Sequence, residues 1–123
     1  MDTFTVIWVI LSVWVRGGLY TTLADLARWD QNFYQPRLGV PGLSELQHTV
    51  GVLNSGEKLE YAFGLQLRYY REEVVEVHTG SMMGFKAGFA RFPERQLSVL
   101  ALCNLGEIQP GEMVNQVVYL YLN

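Results

Sequence analysis

The feature that most constrains the fold is a series of four strand-like segments joined by short links. Residues 63–70 alternate apolar and polar side chains, and strand-like runs follow at 74–79, 85–92 and 97–103. Links this short join antiparallel neighbours, because parallel strands need a long crossover. We therefore predict an antiparallel meander. The run 97–103 is nearly all apolar, so we expect it to lie centrally, covered on both faces.

Helical patterns flank the predicted sheet. The sequence Thr-Leu-Ala-Asp at 22–25 resembles a capping box, apolar residues then recur at helical spacing to Phe33, and Pro36 ends the pattern. The sequence Ser-Glu-Leu-Gln at 44–47 is predicted to cap a shorter helix that ends before Gly51. A last helix follows Pro110, with an apolar stripe made of Val114, Val117, Val118 and Tyr121. The fold class is α+β, with the C-terminal helix on one face of the sheet and the first helix near the other end.

Composition narrows the classes of function. The 123 residues suffice for one domain, and half of them are apolar, so a core is expected. A net charge of −3 without a basic run argues against nucleic acid as a partner. His48 and His78 are far apart and have no second ligand at helical or hairpin spacing, so we expect no metal and no cofactor. The single Cys103 cannot form an internal disulfide and does not indicate a compartment.

The first fifteen residues differ from the rest of the chain. Residues 4–15 are uncharged and apolar, yet shorter than the roughly 18 residues of a membrane-spanning helix. A leader peptide would have a positive start and a small-residue cleavage site, whereas here Asp2 is the early charge and Arg16 follows the run. A buried strand or a truncated N-terminus explains the run equally well. We therefore divide the chain into 1–15, an apolar leader or truncated N-terminus, and 16–123.

Three sequence stretches together resemble a known family. The longest runs from Val77-His-Thr-Gly-Ser81 through Arg95 and continues over 97–104. Upstream, Gly-Gly-Leu-Tyr-Thr-Thr at 17–22 begins a helix, and Tyr-Ala-Phe-Gly at 61–64 precedes a strand. In order and spacing these resemble the C-terminal part of class C β-lactamase-like serine hydrolases, the superfamily of β-lactamases, DD-peptidases and esterases. The resemblance covers about 17–122 and implies that 16–123 is part of a β-lactamase/transpeptidase-like fold.

The resemblance assigns roles to four consecutive residues. His78 would face a substrate carboxylate, and Thr79 would add a hydroxyl. Gly80 would let the substrate lie close to the strand, and the main-chain N–H of Ser81 would form half of the oxyanion hole. These groups orient a substrate and stabilise charge, but they do not attack it.

The nucleophile of the family is the missing element. Ser55-Gly-Glu-Lys58 spells Ser-x-x-Lys, but a working motif begins a helix, and Gly56 instead indicates a loop. Tyr121-Leu-Asn123 spells Tyr-x-Asn at the end of the last helix, where an ordinary aromatic is the simpler interpretation. The chain is therefore expected to be inactive by itself.

Two hypotheses about function follow. In the first, the chain is a remnant of a serine hydrolase that acts on a β-lactam, a D-Ala-D-Ala-type peptide or an ester, and it retains the substrate-binding strand. In the second, the strand edge binds a peptide or partner without chemistry. The resemblance suggests a periplasmic or envelope location. The helical half of the family is missing, so we expect marginal stability or self-association unless a partner covers the exposed apolar surface.

The remaining large side chains are assigned by type. Aromatic residues are expected in the core and basic residues in solvent. The expected core aromatics are Trp29, Phe33, Phe63, Phe85, Phe89 and Phe92, and the expected solvated cations are Lys86, Arg91 and Arg95.

Overall fold

The computed structural model describes residues 13–15, 19–37 and 39–122, with side chains from residue 21 onward. Its main sheet is a four-stranded antiparallel meander, in which each strand pairs with the next one along the chain. The predicted α+β class is confirmed. The strands are β1 (Val13–Val15), β2 (Leu19–Thr21), β3 (Gln66–Tyr70), β4 (Glu73–Met82), β5 (Phe85–Phe92) and β6 (Leu97–Cys103), and the helices are α1 (Leu23–Tyr34), α2 (Leu43–His48) and α3 (Pro110–Leu122).

The strand boundaries follow the turn chemistry. β5 and β6 have the predicted bounds, whereas β3 begins three residues later than predicted, because Ala62 N–H donates to Leu65 O in a turn before it. β4 is longer than predicted and runs to Met82. The turn after it uses Met83 (φ 48°) and Gly84 (φ 83°), the two positive φ values of a type I′ hairpin turn.

Helices α1 and α3 begin where the sequence predicts. The Asp25 N–H donates to Thr22 Oγ1 at 3.2 Å, so Thr22 caps α1 as the sequence indicated. The short helix α2 begins at Leu43, with Gly42 at its N-cap and without a side-chain cap, so the predicted capping by Ser44 was wrong. α3 begins at Pro110, a residue that suits the first turn because it has no N–H to satisfy.

The sheet has a core on each face. α3 covers one face, where the buried cluster is Val75, Ala90, Phe92, Val114 and Val118. α1 covers the other face, where Leu23 and Leu102 are buried and Leu26, Phe85, Ala87 and Leu100 pack around them. The helix on each face explains why β6 is apolar along nearly its whole length, with Ser98 as the exception.

The position of β6 and the burial of several aromatic residues differ from the prediction. β6 is covered on both faces as predicted, but it is the last strand of the described sheet and not a central one. α1 lies on the face opposite α3, along β6, the last strand of the described sheet. Two predicted core aromatics, Trp29 and Phe63, are exposed, Phe63 by 63%, and Tyr121 of the predicted α3 stripe is also exposed.

The N-terminal segment is described in part. Val13–Val15 pairs antiparallel with Leu19–Thr21, so the end of the apolar run contributes strand β1. The rest of the 1–15 prediction lies outside the described residues. Among the described helices, none is long and apolar enough to span a membrane.

We predict that Gly88→Ala destabilises the fold, because α3 begins directly over this residue. A Cβ at position 88 would lie 2.8 Å from Pro110 O, so the helix must shift. Overpacking of this kind costs about 1–3 kcal/mol. Urea unfolding measures the change.

The matched control is Gly80→Ala on the neighbouring strand, where the added Cβ meets only Ala87 Cβ at 3.8 Å. An equal loss in the two variants would contradict the close helix approach.

Candidate functional site

The four residues singled out by the resemblance lie where β4 extends beyond β3. Gln66, the first residue of β3, pairs with Val77, so His78–Met82 has β5 on one side and no β3 partner on the other. No described strand is hydrogen-bonded to this segment on that side, so it forms an open sheet edge, although β1 lies close to β4 and β5. An open edge presents main-chain N–H and C=O groups to a ligand.

The register defines which residues direct their main chain toward the open edge. Leu67 N–H donates to Glu60 O, on the side of β3 away from β4, so its neighbours Gln66 and Arg68 bond with β4. Main-chain groups alternate in direction along an antiparallel strand. Val77 directs its main-chain groups toward β3, so every second residue after it faces the same side. The N–H and C=O groups of Thr79 and Ser81 therefore point to the open edge.

The side chains at this edge alternate between the two faces. His78 is exposed on the α1 face, where its ring lies 6.4 Å from the ring of Tyr61. Thr79 is on the α3 face. Its Cγ2 would lie 3.6 Å from a Cβ added to Gly111, the second residue of α3. The strand thus brings together the main chain of Thr79 and Ser81, but it separates the His78 and Thr79 side chains.

A serine nucleophile needs a base within hydrogen-bond reach of its hydroxyl. Ser55 lies in an exposed turn, where its Oγ accepts from Glu57 N–H at 3.4 Å, and this argues against a helical Ser-x-x-Lys. Ser98 is buried on β6. Tyr121 is exposed on α3, and Asn123 lies outside the described residues.

The other two serines lie close to basic side chains. Ser44 is one turn from His48, but His48 Nδ1 contacts the main-chain O of Ser44 at 2.6 Å, so this nitrogen is not directed at the hydroxyl. Ser81 is the cross-strand neighbour of Lys86 on the α3 face. His78 is on the opposite face and cannot serve Ser81 as a base.

A buried ion pair lies on the α1 face, two residues before His78. Arg91 is 1% exposed and Glu76 is 3% exposed, so the expectation that Arg91 is solvated was wrong. Arg91 Nε donates to Glu76 Oε2 at 2.7 Å, and Arg91 Nη2 contacts both Glu76 and His48 Nε2. The guanidinium also stacks on Phe33, 3.8 Å from the ring centroid.

This pair was detectable from the turn. Glu76 and Arg91 stand at equal distances from the Met83-Gly84 turn, so a two-residue hairpin places them directly opposite one another. Residue type alone predicts that an arginine is solvated. It takes no account of a cross-strand carboxylate, which is what a buried arginine needs.

A second set of buried polar groups lies between α1 and β6, with Asp30 and Tyr34 on the helix and Ser98 on the strand. In the described structure, Asp30 Oδ1, the Tyr34 hydroxyl and Ser98 Oγ are buried without a direct hydrogen-bond partner. Burial raises the pKa of Asp30 from its ordinary 3.8, against a smaller opposing effect of the Ser98 hydroxyl and the Arg91 guanidinium. Burial likewise raises the pKa of Tyr34. A protonated Asp30 gains an O–H that can donate to its neighbours.

An open cleft of about 470 Å³ lies beside the ion pair. It is lined by Phe33, Tyr34, Ser44, His48, Leu67, Val74, Glu76, Arg91 and Pro93. Its two buried charges neutralise one another, so the cleft offers a ligand mainly aromatic and aliphatic contacts. The open edge of β4 is therefore the better candidate for recognition.

Metal chemistry has no visible basis in the described part of the chain, where no three His, Cys, Asp or Glu side chains form a group that could hold an ion. In comparisons with known proteins, no family model and no curated protein matched the chain.

We predict that Arg91→Leu destabilises the fold by about 3–5 kcal/mol, because it removes the guanidinium from the buried Glu76 carboxylate and leaves only His48 Nε2, 3.1 Å from Glu76 Oε1, beside it. Chemical denaturation measures the loss. The double variant Glu76→Leu with Arg91→Leu removes both charges and should recover most of it. A double variant as unstable as the single one would show that the lost packing, and not the stranded charge, determines the effect.

We predict that Asp30→Asn changes the pH dependence of stability. A folded-state pKa raised above 3.8 means that the protonated form stabilises the fold, and this contribution is lost as pH rises through the folded-state pKa. Asparagine stays neutral at all pH values. The variant should therefore gain stability relative to the parent as pH rises from 4 to 8, measured by urea unfolding at each pH. Parallel curves for the two proteins would contradict the buried position of Asp30.

Proposed function

We propose that this chain carries the substrate-binding strand of a β-lactamase-related serine hydrolase and binds an acyl substrate without attacking it. The substrate class is a β-lactam, a D-Ala-D-Ala-type peptide or a small ester. One observation carries the proposal. The His-Thr-Gly-Ser segment lies at an open sheet edge, where the main-chain groups of Thr79 and Ser81 face outward.

The direction of the Ser81 N–H supports an oxyanion-binding role. An oxyanion hole needs preorganised donors, and a main-chain N–H held by a paired strand has little freedom to reorient. Gly80 and Met82, on either side, bond with β5 and hold Ser81 in place. The exposed His78 beside Tyr61 supplies a polar side chain for a substrate carboxylate on the α1 face.

The surroundings of the described serines support binding without covalent chemistry. Ser55 and Ser44 lack a base directed at the hydroxyl, and Ser98 is buried. Ser81 lies opposite Lys86 on the neighbouring strand. A covalent reaction in the described chain would have to use Ser81 as the nucleophile and Lys86 as the base.

The first test is labelling with a fluorophosphonate and, separately, with a fluorescent penicillin, followed by intact-mass spectrometry. We expect no covalent adduct. An adduct mapped to Ser81 would identify Ser81 and Lys86 as nucleophile and base, and it would refute the non-catalytic part of the proposal. Lys86→Met would then abolish the adduct.

The second test measures reversible binding through amide chemical shifts. Diacetyl-Lys-D-Ala-D-Ala should shift the amides of Thr79 and Ser81, and Ser81→Pro should abolish the effect because it removes the outward donor. Proline is tolerated at this position, since the Ser81 N–H is not part of the β4–β5 ladder. Ser81→Ala keeps the N–H and should bind like the parent. Equal loss in both variants would assign binding to the hydroxyl and contradict the oxyanion role.

A second candidate function is peptide binding by strand addition at the same edge. The alternating outward groups of Thr79 and Ser81 are those that an added antiparallel strand would use. The stereochemistry of the probe separates the two candidates. Preference for the D-Ala-D-Ala peptide over its L-Ala-L-Ala diastereomer supports the acyl-substrate function, and the reverse preference supports strand addition.

A further inference from the structure

We propose that Asp30, Tyr34 and Ser98 hold one ordered water molecule between α1 and β6. In the described structure Asp30 Oδ1, the Tyr34 hydroxyl and Ser98 Oγ are buried without a direct hydrogen-bond partner. Buried polar groups are nearly always hydrogen-bonded, either to protein or to an internal water. The site is formed by α1 and β6, so it does not depend on the proposed function, which concerns β4.

The packing of α1 on β6 brings the three oxygen atoms together. Asp30 and Tyr34 are four residues apart, so they lie on the same side of the helix. Ser98 stands at alternate positions with Leu100 and Leu102, which pack under α1, so its side chain faces the helix. Burial raises the pKa of Asp30 and of Tyr34, and the neighbouring Ser98 hydroxyl opposes the rise in both. The three groups are therefore neighbours, although none bonds directly to another.

The nearby guanidinium does not supply the missing hydrogen bond. Burial raises the pKa of Asp30 and the charge of Arg91 opposes this rise, so the two side chains are close. The hydrogen bonds of Arg91 nevertheless go elsewhere. Its Nε donates to Glu76 Oε2 at 2.7 Å, and its Nη2 contacts Glu76 and His48. Asp30 Oδ1 therefore needs a donor from another source.

A water molecule has the donors and acceptors that these three groups require. It donates one hydrogen to Asp30 Oδ1 and accepts a hydrogen bond from the Tyr34 hydroxyl, and its second hydrogen or second lone pair bonds with Ser98 Oγ. Buried waters in proteins typically make about three hydrogen bonds to groups that otherwise have none. The number and the chemistry of the orphaned oxygen atoms match this pattern.

A metal cation fits the same groups less well. Ca²⁺ and Mg²⁺ take about six or more oxygen ligands, whereas the orphaned side-chain oxygens at this place are those of Asp30, Tyr34 and Ser98. A cation would also lie near the positive charge of Arg91. It would give the two hydroxyl hydrogens no acceptor, and a water molecule provides one.

The bound water connects the C-terminal half of α1 to the sheet. Asp30 and Tyr34 stand on either side of Phe33 in the chain, and Phe33 stacks on the Arg91 guanidinium at 3.8 Å from the ring centroid. At the start of the helix the contact is apolar and is made by Leu23. The water therefore supplies the polar part of the contact between α1 and β6, and it helps to keep Phe33 over the buried ion pair.

The test is magnetic relaxation dispersion of ¹⁷O-labelled water, which detects water molecules that stay in the full chain longer than its tumbling time. The method observes water oxygen alone, so exchanging serine and tyrosine hydroxyl hydrogens do not contribute. Ser98→Val removes the hydroxyl and places a methyl group where the water binds. We expect this variant to have one long-lived water fewer than the parent. Ser55→Val removes an exposed hydroxyl and is the matched control, which should leave the dispersion unchanged.

Tyr34→Phe is the second variant, because it keeps the ring and removes one of the three hydrogen-bonding groups. We expect a smaller dispersion than in the parent, since a water held by two hydrogen bonds leaves sooner than one held by three. This variant decides the question if Ser98→Val fails to fold.

Three outcomes would overturn the proposal. The first is a parent chain without a long-lived water, which would mean that the three side chains bond directly to one another in solution. The second is an unchanged dispersion in either folded variant. The third is a loss of stability in urea when sodium chloride is replaced by choline chloride, which would assign the site to a sodium ion. We expect equal stability in the two salts.

Discussion

The difference in length between β4 and its neighbours determines what this sheet presents to other molecules. β4 has ten residues and β3 has five, so the pairing that encloses the first half of β4 ends before His78. β5 continues to pair with β4 up to the turn, so the main chain of the open half is hydrogen-bonded on one side. A strand held on one side and open on the other is a rigid set of hydrogen-bonding groups, with little conformational entropy left to lose on binding.

The Glu76–Arg91 pair fixes the register on which this arrangement depends. A slip of one residue between β4 and β5 would move every side chain to the other face, and it would leave two buried charges unpaired. The same pair reaches α1 through Phe33 and α2 through His48. It therefore connects the sheet to both helical segments of one face, next to the strand end where the open edge begins.

The sequence predicted the fold better than the site. Alternation and turn residues located β5 and β6, and Thr22 located the start of α1, because these signals are local. The end position of β6 was missed, since an apolar strand indicates cover on its faces and does not report what lies beside it. Arg91 was missed for a related reason, because burial of a charge depends on a cross-strand partner. The open edge at Ser81 required the register, which single-residue properties do not contain.

The most direct measurement is amide hydrogen exchange, residue by residue, along β4. The account predicts slow exchange at His78 and Gly80, whose N–H groups bond with β5, and fast exchange at Thr79 and Ser81, whose N–H groups face the open edge. Uniform protection from Glu76 to Ser81 would contradict it, since that result would mean that the edge is already covered and that Ser81 has no donor to offer a ligand.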